Sequence, residues 1–250
     1  MIEDPQGTVL ALFAAFCRVG GCFMLLPGFS SARLPMQIRL FLAVAISMAI
    51  LPLLWDTIYP RAADPVASYV RLIVFETLTG AVIGLIARYF VLGLQFAGTV
   101  LTMMIGFNAP PSPDVIEDTA ENQLTNLISF AALMVLFLLD FHHVILRALV
   151  ESYTTMPLGA GFNPQGALIT LADTLKQTFD IMLRLASPFI VYGLLFNIAV
   201  GLVNKLAPQI PIYFISLPFL ICGGLFLVYF GISSMLEIFA AAFIPVFEGR

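Results

Sequence analysis

What most restricts this chain is a succession of apolar runs, each long enough to cross a bilayer. They are Thr8–Leu26, Met36–Leu54, Tyr69–Phe107, about Ala120–Tyr153, Arg184–Leu206 and Ile212 to about Phe243. About 20 predominantly apolar residues suffice for a transmembrane helix. Strands of a membrane barrel would alternate apolar and polar residues, and these runs do not. Composition agrees: 60% of the residues are hydrophobic, 10% are charged and mean hydropathy is +1.01. Soluble chains carry about 25% charged residues. The sequence therefore predicts an all-α, polytopic membrane protein built from helical hairpins. Met1-Ile2-Glu3-Asp4-Pro5 has no basic region, so the first run reads as retained and not as a cleaved signal peptide. A net charge of −4 argues against a nucleic-acid partner.

Spacing adds detail in the last third. Gly193, Asn197, Gly201 and Lys205 follow one another four apart and share one helical face of small and polar groups. In an apolar medium such a face admits a second backbone at close range. Ala207-Pro208-Gln209-Ile210-Pro211 then stops the helix, because proline donates no N–H. The short connection predicts an antiparallel return. The returning helix would be about 45–50 Å long against a hydrocarbon core of about 30 Å, which predicts that protein covers part of it. Earlier, Tyr69–Phe107 carries Glu76, Arg88 and Gln95 and a Gly80/Gly84 GxxxG, a close-packing signal. It is too long for one span and reads as two helices or one broken helix. Trp55–Ala67, with Pro60 and Pro65, reads as a polar link.

Phe107–Gln123 interrupts the apolar text with three prolines, four acids and no basic residue. Asp118 with Glu121 three on reads as a capping box for the next helix. That helix would place Asp140, His143, Arg147 and Glu151 on one face. Such a face could be a proton relay or ligand set. A buried polar seam, paired within itself or with a neighbouring subunit, is the preferred reading. His142 falls on another face, so the adjacent histidines read as a poor chelate. Met156–Gly166 is a link, and Ala167–Leu185 an amphipathic helix with Asp173/Lys176 and Asp180/Arg184 at pair spacing. Cys17, Cys22 and Cys222 lie in apolar sequence and read as packing groups. No HExxH and no paired-cysteine ligand set is present, so no metal site is predicted. No GxSxG or GxGD occurs either, and no inverted repeat suggests a secondary transporter. Loop basic residues are few and unclustered and do not set the membrane orientation.

Asn197, Gly201, Leu206-Ala207-Pro208-Gln209, Pro218 and Gly223 together resemble the C-terminal signature of the flagellar FliR branch of the type III secretion export-gate T/R subunit family. Arg18, Pro27-Gly28, Pro35 and Arg39 are similar to its N-terminal pattern. Glu76, Gly80, Gly84, Gln95 and Gly98 are similar to its middle, as are His143, Ser152-Tyr153 and Pro157-Leu158-Gly159. The resemblance implies no enzymatic activity and no cofactor. It implies one copy joined to P-type and Q-type subunits in a helical, cone-like assembly in the bacterial inner membrane, within the flagellar basal body, alongside other export-apparatus membrane proteins. Unfolded flagellar subunits would enter the export channel there, driven by energy from elsewhere in the apparatus. Residues 1–165 would correspond to the larger P subunit and 166–250 to the two-helix Q subunit. Gly80, Gly84, Gly193, Asn197, Gly201, Lys205, Pro208 and Gln209 would be helix-packing or subunit contacts. A loop at about 106–122 would plug the pore, with Gly106, Phe107, Asn108, Pro110, Pro111, Pro113, Asp114, Glu117 and Asp118 as its residues. Many relatives have an Asp-Pro step where this chain has Pro113-Asp114, so placement carries over better than side-chain roles. The alternatives are a virulence-type secretion gate subunit, a proton-coupled transporter using Glu76, Asp140 and His143, and an intramembrane enzyme, the weakest of the three.

Overall fold

A computed structural model describes residues 4–29, 35–62, 65–107, 112–113, 120–158 and 161–248. The described chain is helical: α1 (Pro5–Leu25), α2 (Met36–Ile50), a 3₁₀ turn (Leu51–Leu54), α3 (Trp55–Ala62), α4 (Val66–Met104), α5 (Gln123–Leu138), α6 (Phe141–Thr155), α7 (Pro164–Leu206) and α8 (Ile212–Glu248). The exception is a two-residue antiparallel pairing of β1 (Ser112–Pro113) with β2 (Ala120–Glu121). Among the described residues, five helical segments are long and apolar enough to cross a membrane, or six if α5 and α6 form one bent span. The protein is thus a multi-pass, all-α membrane-type chain, as its apolar runs predict.

Several boundaries differ from the sequence reading. The run after Tyr69 is one unbroken helix of 39 residues, because its glycines serve as contact points and not as breaks. The proline-containing stretch after Trp55 is helical, with Pro60 inside α3 and Trp55 stacked on Tyr59. The amphipathic segment from Ala167 and the apolar run after Arg184 merge into one helix of 43 residues that contains Pro188. Pro188 cannot donate to the Arg184 carbonyl. The Ser187 hydroxyl donates to that oxygen at 2.9 Å, so the ladder is repaired without a break.

The chain divides into two compact units, each discontinuous in sequence. One comprises Met1–Tyr89, Asp140–Leu175 and Ile244–Arg250; the other comprises Phe90–Leu139 and Lys176–Phe243. Neither unit ends at the 165/166 boundary that the resemblance implies.

In the first unit, α1 lies on the first half of α4 with backbone close to backbone. Cβ atoms at Gly80, Gly84 and Gly21 would strike the carbonyl oxygens of Arg18, Cys22 and Thr77 respectively. The GxxxG is therefore a contact inside the chain. Ala11, Ala14 and Ala15 pack with Leu51, Ile58, Leu72, Tyr153 and Leu158 in one core cluster. The start of α1 is capped by Asp4, whose Oδ1 accepts from the Gly7 N–H at 3.1 Å. The Tyr59 hydroxyl donates to its Oδ2 at 3.0 Å. The Gly7 bond first, then Tyr59, holds the Asp4 carboxyl below the usual aspartate range. Its contribution is present above the ordinary aspartate pKa and is lost as pH falls through the lowered one.

Gly80→Ala is expected to destabilise the protein. Overpacking costs about 1–3 kcal/mol and outweighs the roughly 1 kcal/mol that alanine gains over glycine in a helix. Gly231→Ala is the control, since a Cβ there meets nothing within 4 Å. Thermal unfolding in detergent should fall for the first variant and hold or rise for the second.

In the second unit, α7 and α8 form the antiparallel hairpin that the double-proline stretch predicts. The Tyr192 hydroxyl on α7 donates to the Leu220 carbonyl on α8 at 2.8 Å. Gly223 lies against the same phenol, and Gly224 against Ile105. Gly93 faces Thr178 and Gly98 faces Thr125, while Phe90, Phe239 and Phe243 form an aromatic cluster.

Candidate functional site

The most completely built polar feature lies in the first unit. Arg18 of α1 is 1% exposed and its fork closes on Glu76 of α4. Nε donates to Oε2 at 2.5 Å and Nη2 to Oε1 at 2.8 Å. Nη1 donates to the Ser152 hydroxyl at 3.0 Å, and Nη2 also to the Met156 carbonyl at 3.1 Å. The guanidinium carbon sits 3.8 Å from the centre of the Tyr153 ring. The Ser152 hydroxyl in turn donates to the Leu149 carbonyl at 2.6 Å. A bidentate guanidinium–carboxylate pair with two further donors occupied is the form in which a buried ion pair is tolerated. The sequence reading marks Arg18, Glu76 and Ser152-Tyr153 separately and does not join them. The available signal is one opposite charge in each of two apolar runs, where an ionisable residue needs a partner.

A groove of about 820 Å³ opens beside this pair, lined among others by Arg61, Arg71, Phe75, Thr155, Asn163 and Thr170. Among the described residues that line it there are hydroxyls but no histidine, and the carboxylate, Glu76, is held at both oxygens by Arg18. No described residue that lines it is a nucleophile with a base beside it. The same commitment of Glu76 removes it from a proton-relay role with Asp140 and His143.

In the second unit the two roots of the 106–122 loop are built with care. Gly106 has φ +70°. Its N–H donates to the Met103 carbonyl at 3.3 Å, and the Phe107 N–H to the Thr102 carbonyl at 3.0 Å. That is a Schellman ending for α4, which needs a residue tolerant of positive φ. The far root is Asn122, not the Asp118/Glu121 capping box: Glu121 is in the β pairing, and Asn122 Oδ1 accepts from the Leu124 N–H at 3.0 Å. The Asn122 amide also donates to the Phe107 carbonyl at 2.8 Å. One side chain thus ties both roots together. Pro113 lies in the short β pairing, against Ala120. Asn108, Pro110, Pro111, Asp114, Glu117 and Asp118 lie outside the described residues.

The helical face on α7 divides in two. Gly193 is buried, and a Cβ there would come within 2.8 Å of the Met104 carbonyl. Beyond it Asn197 and Lys205 are exposed, as are Pro208 and Gln209 in the turn, and a Cβ on Gly201 would meet nothing within 4 Å. Their neighbours Leu194, Leu195, Ile198 and Leu202 are exposed as well.

The seam from Asp140 to Glu151 does not form as predicted. One continuous helix was the expectation; instead the helix ends at Leu138 and resumes at Phe141, with Asp140 in the left-handed conformation at φ 55°. Asp140 is therefore out of helical register with the rest. In this chain the residues are also not buried: side-chain exposure is 72% at Asp140, 70% at His143 and 79% at Arg147. Arg147 and Glu151 pair at 2.9 Å across one helical turn. Asp140 Oδ1 lies 3.4 Å from His143 Nδ1 and 3.9 Å from His142 Nε2. The two histidines do not point apart, since their ring centres are 4.2 Å from each other.

Residues 9–245 match the family described as bacterial export proteins, family 1. The chain is similar to proteins named flagellar biosynthetic protein FliR. It is 29% identical to that of Caulobacter vibrioides, over 88% of this chain and 87% of the relative. It is 27% identical to that of Escherichia coli, over 85% and 80%. It is 24% identical to that of Aquifex aeolicus, over 87% and 83%.

Proposed function

The chain belongs to the bacterial export proteins, family 1, and from that premise we propose that it is a core, non-enzymatic subunit of the flagellar type III protein export gate. The observation that carries this reading is the unpartnered half of the α7 face. Asn197 and Lys205 stand exposed among exposed leucines on a helix of 43 residues, and between them a Cβ on Gly201 would meet nothing within 4 Å. Lipid solvates such polar groups poorly, and a small-residue face between bulky neighbours suits a second helix. Helix length points the same way. The 39, 43 and 37 residues of α4, α7 and α8 correspond to about 55–65 Å, roughly twice the hydrocarbon thickness. Partner proteins of P and Q type would cover the excess, in the inner membrane at the flagellar basal body, with unfolded flagellar subunits passing through the assembled channel.

Gly201→Leu tests the face. A bulky side chain at a close helix contact costs about 1–3 kcal/mol or more, yet within this chain it meets nothing. The variant should therefore fold as before and lose co-purification with the P- and Q-type subunits, together with motility. Leu202→Ala, one residue along, should retain both. Normal complex yield from Gly201→Leu would place this face toward lipid and remove the argument.

A further inference from the structure

We propose that Asp140, His142 and His143 form a binding site for a divalent transition metal of the zinc or cobalt type at the start of α6. Their donor atoms all lie within 4.8 Å of one another, and Asp140 Oδ1 stands 3.4 Å from His143 Nδ1 and 3.9 Å from His142 Nε2. Ligands on a tetrahedral ion with bonds of about 2.0–2.1 Å lie about 3.3 Å apart. One pair already has that spacing, and the others close on it by small side-chain rotations. The backbone supplies a separate indication. Among the described residues Asp140 is the one non-glycine residue with positive φ. A conformation of that kind is retained where the surroundings or a function favour it, and here it sets one carboxylate beside both imidazoles. Adjacent histidines on a regular helix would diverge. In the first turn of α6 their rings nevertheless lie 4.2 Å apart.

The donor set selects the ion. Two imidazoles with one carboxylate suit zinc, cobalt or nickel, whereas magnesium and calcium take oxygen ligands. Side-chain exposures of 72% at Asp140, 37% at His142 and 70% at His143 leave an entry path and an open fourth position for water. A bound ion would fasten the Asp140 turn onto the first turn of α6.

The two histidines are the only ones in the chain, which makes the test specific. The full-length, tag-free protein, with Cys222→Ser to remove the exposed thiol, is titrated with Co²⁺ and followed by visible absorption. One equivalent is expected to bind with ligand-field bands, and Zn²⁺ should displace it. Loss of a group that merely supports a ligand costs about 10–100-fold in affinity. His142→Ala and His143→Ala should each cost at least that much. Asp140→Asn keeps a residue that tolerates the left-handed conformation and should weaken binding while leaving helix content unchanged. Absence of saturable Co²⁺ binding, or binding that survives replacement of both histidines, would overturn the site and leave an ordinary Asp–His contact.

Discussion

Glu76→Ala is expected to abolish accumulation of the protein and with it flagellar export. The change leaves Arg18, which is 1% exposed, with a full charge and no counter-ion. Removing one partner of a buried ion pair costs about 3–5 kcal/mol, a large part of the roughly 5–15 kcal/mol that holds a typical domain together. Ser152 and the Met156 carbonyl still accept two of the guanidinium's bonds, but neither carries charge. Glu76→Gln should fall between, since it keeps one acceptor oxygen and loses the charge. The double variant Arg18→Met, Glu76→Leu separates pairing from mere presence. Replacing both members with apolar side chains of similar size is often close to neutral, so it should recover much of the yield that Glu76→Ala loses. Membrane-fraction immunoblots at native expression read the outcome. Equal yields for Glu76→Ala and the parent would show that water or a partner chain reaches Arg18.

Replacing Ala109–Thr119 with a Gly/Ser linker is expected to leave the protein assembled and make the resting gate leak. This rests on the proposed plug role of the 106–122 loop, and the roots make it a clean experiment. Gly106, Phe107 and Asn122 stay in place, so the Schellman ending of α4, the cap of α5 and the Asn122–Phe107 bond survive the exchange. The exchange replaces three prolines with glycine and serine and removes the β1 strand between the roots. Ion and small-solute permeability of cells expressing the whole export complex, without substrate, should rise well above that of the parent. Unchanged permeability with normal complex yield would reduce the loop to a surface connection.

How much of this was legible in the sequence depends on the range of the interaction. Apolar runs are local, so the all-α membrane-type class and the α7–α8 hairpin could be read directly. Helix ends were less legible because they depend on single groups. Ala167–Leu185 and the apolar run from Arg184 read as two helices, whereas they join as one, with Pro188 inside it and Ser187 donating to the Arg184 carbonyl. The Asp118/Glu121 spacing reads as a cap, although Asn122 does the capping. Asp140 fits a helical face by spacing, and nothing in the neighbouring residues announces its positive φ. The Arg18–Glu76–Ser152 cluster spans three helices. Each member is visible as a polar residue in apolar text, but their meeting is a tertiary fact. The GxxxG marks a face without a Cβ, and nothing in its spacing indicates that the neighbour is α1 of the same chain.

The Arg18 cluster also has a schedule. Its carboxylate partner lies 58 residues downstream and its hydroxyl partner 134 residues downstream. A ribosome adding about 5–20 residues per second completes α1 while Glu76 is still several seconds from being made. Ser152 follows about 7–27 s after Arg18 at that pace. Throughout that interval a helix with a permanently charged guanidinium at its centre must wait in or beside the membrane, where such a charge is costly. Insertion of α1 is therefore a late-committing step that becomes final only when α4 and then α6 arrive. Whatever machinery holds nascent helices beside the lipid has to retain this one until then.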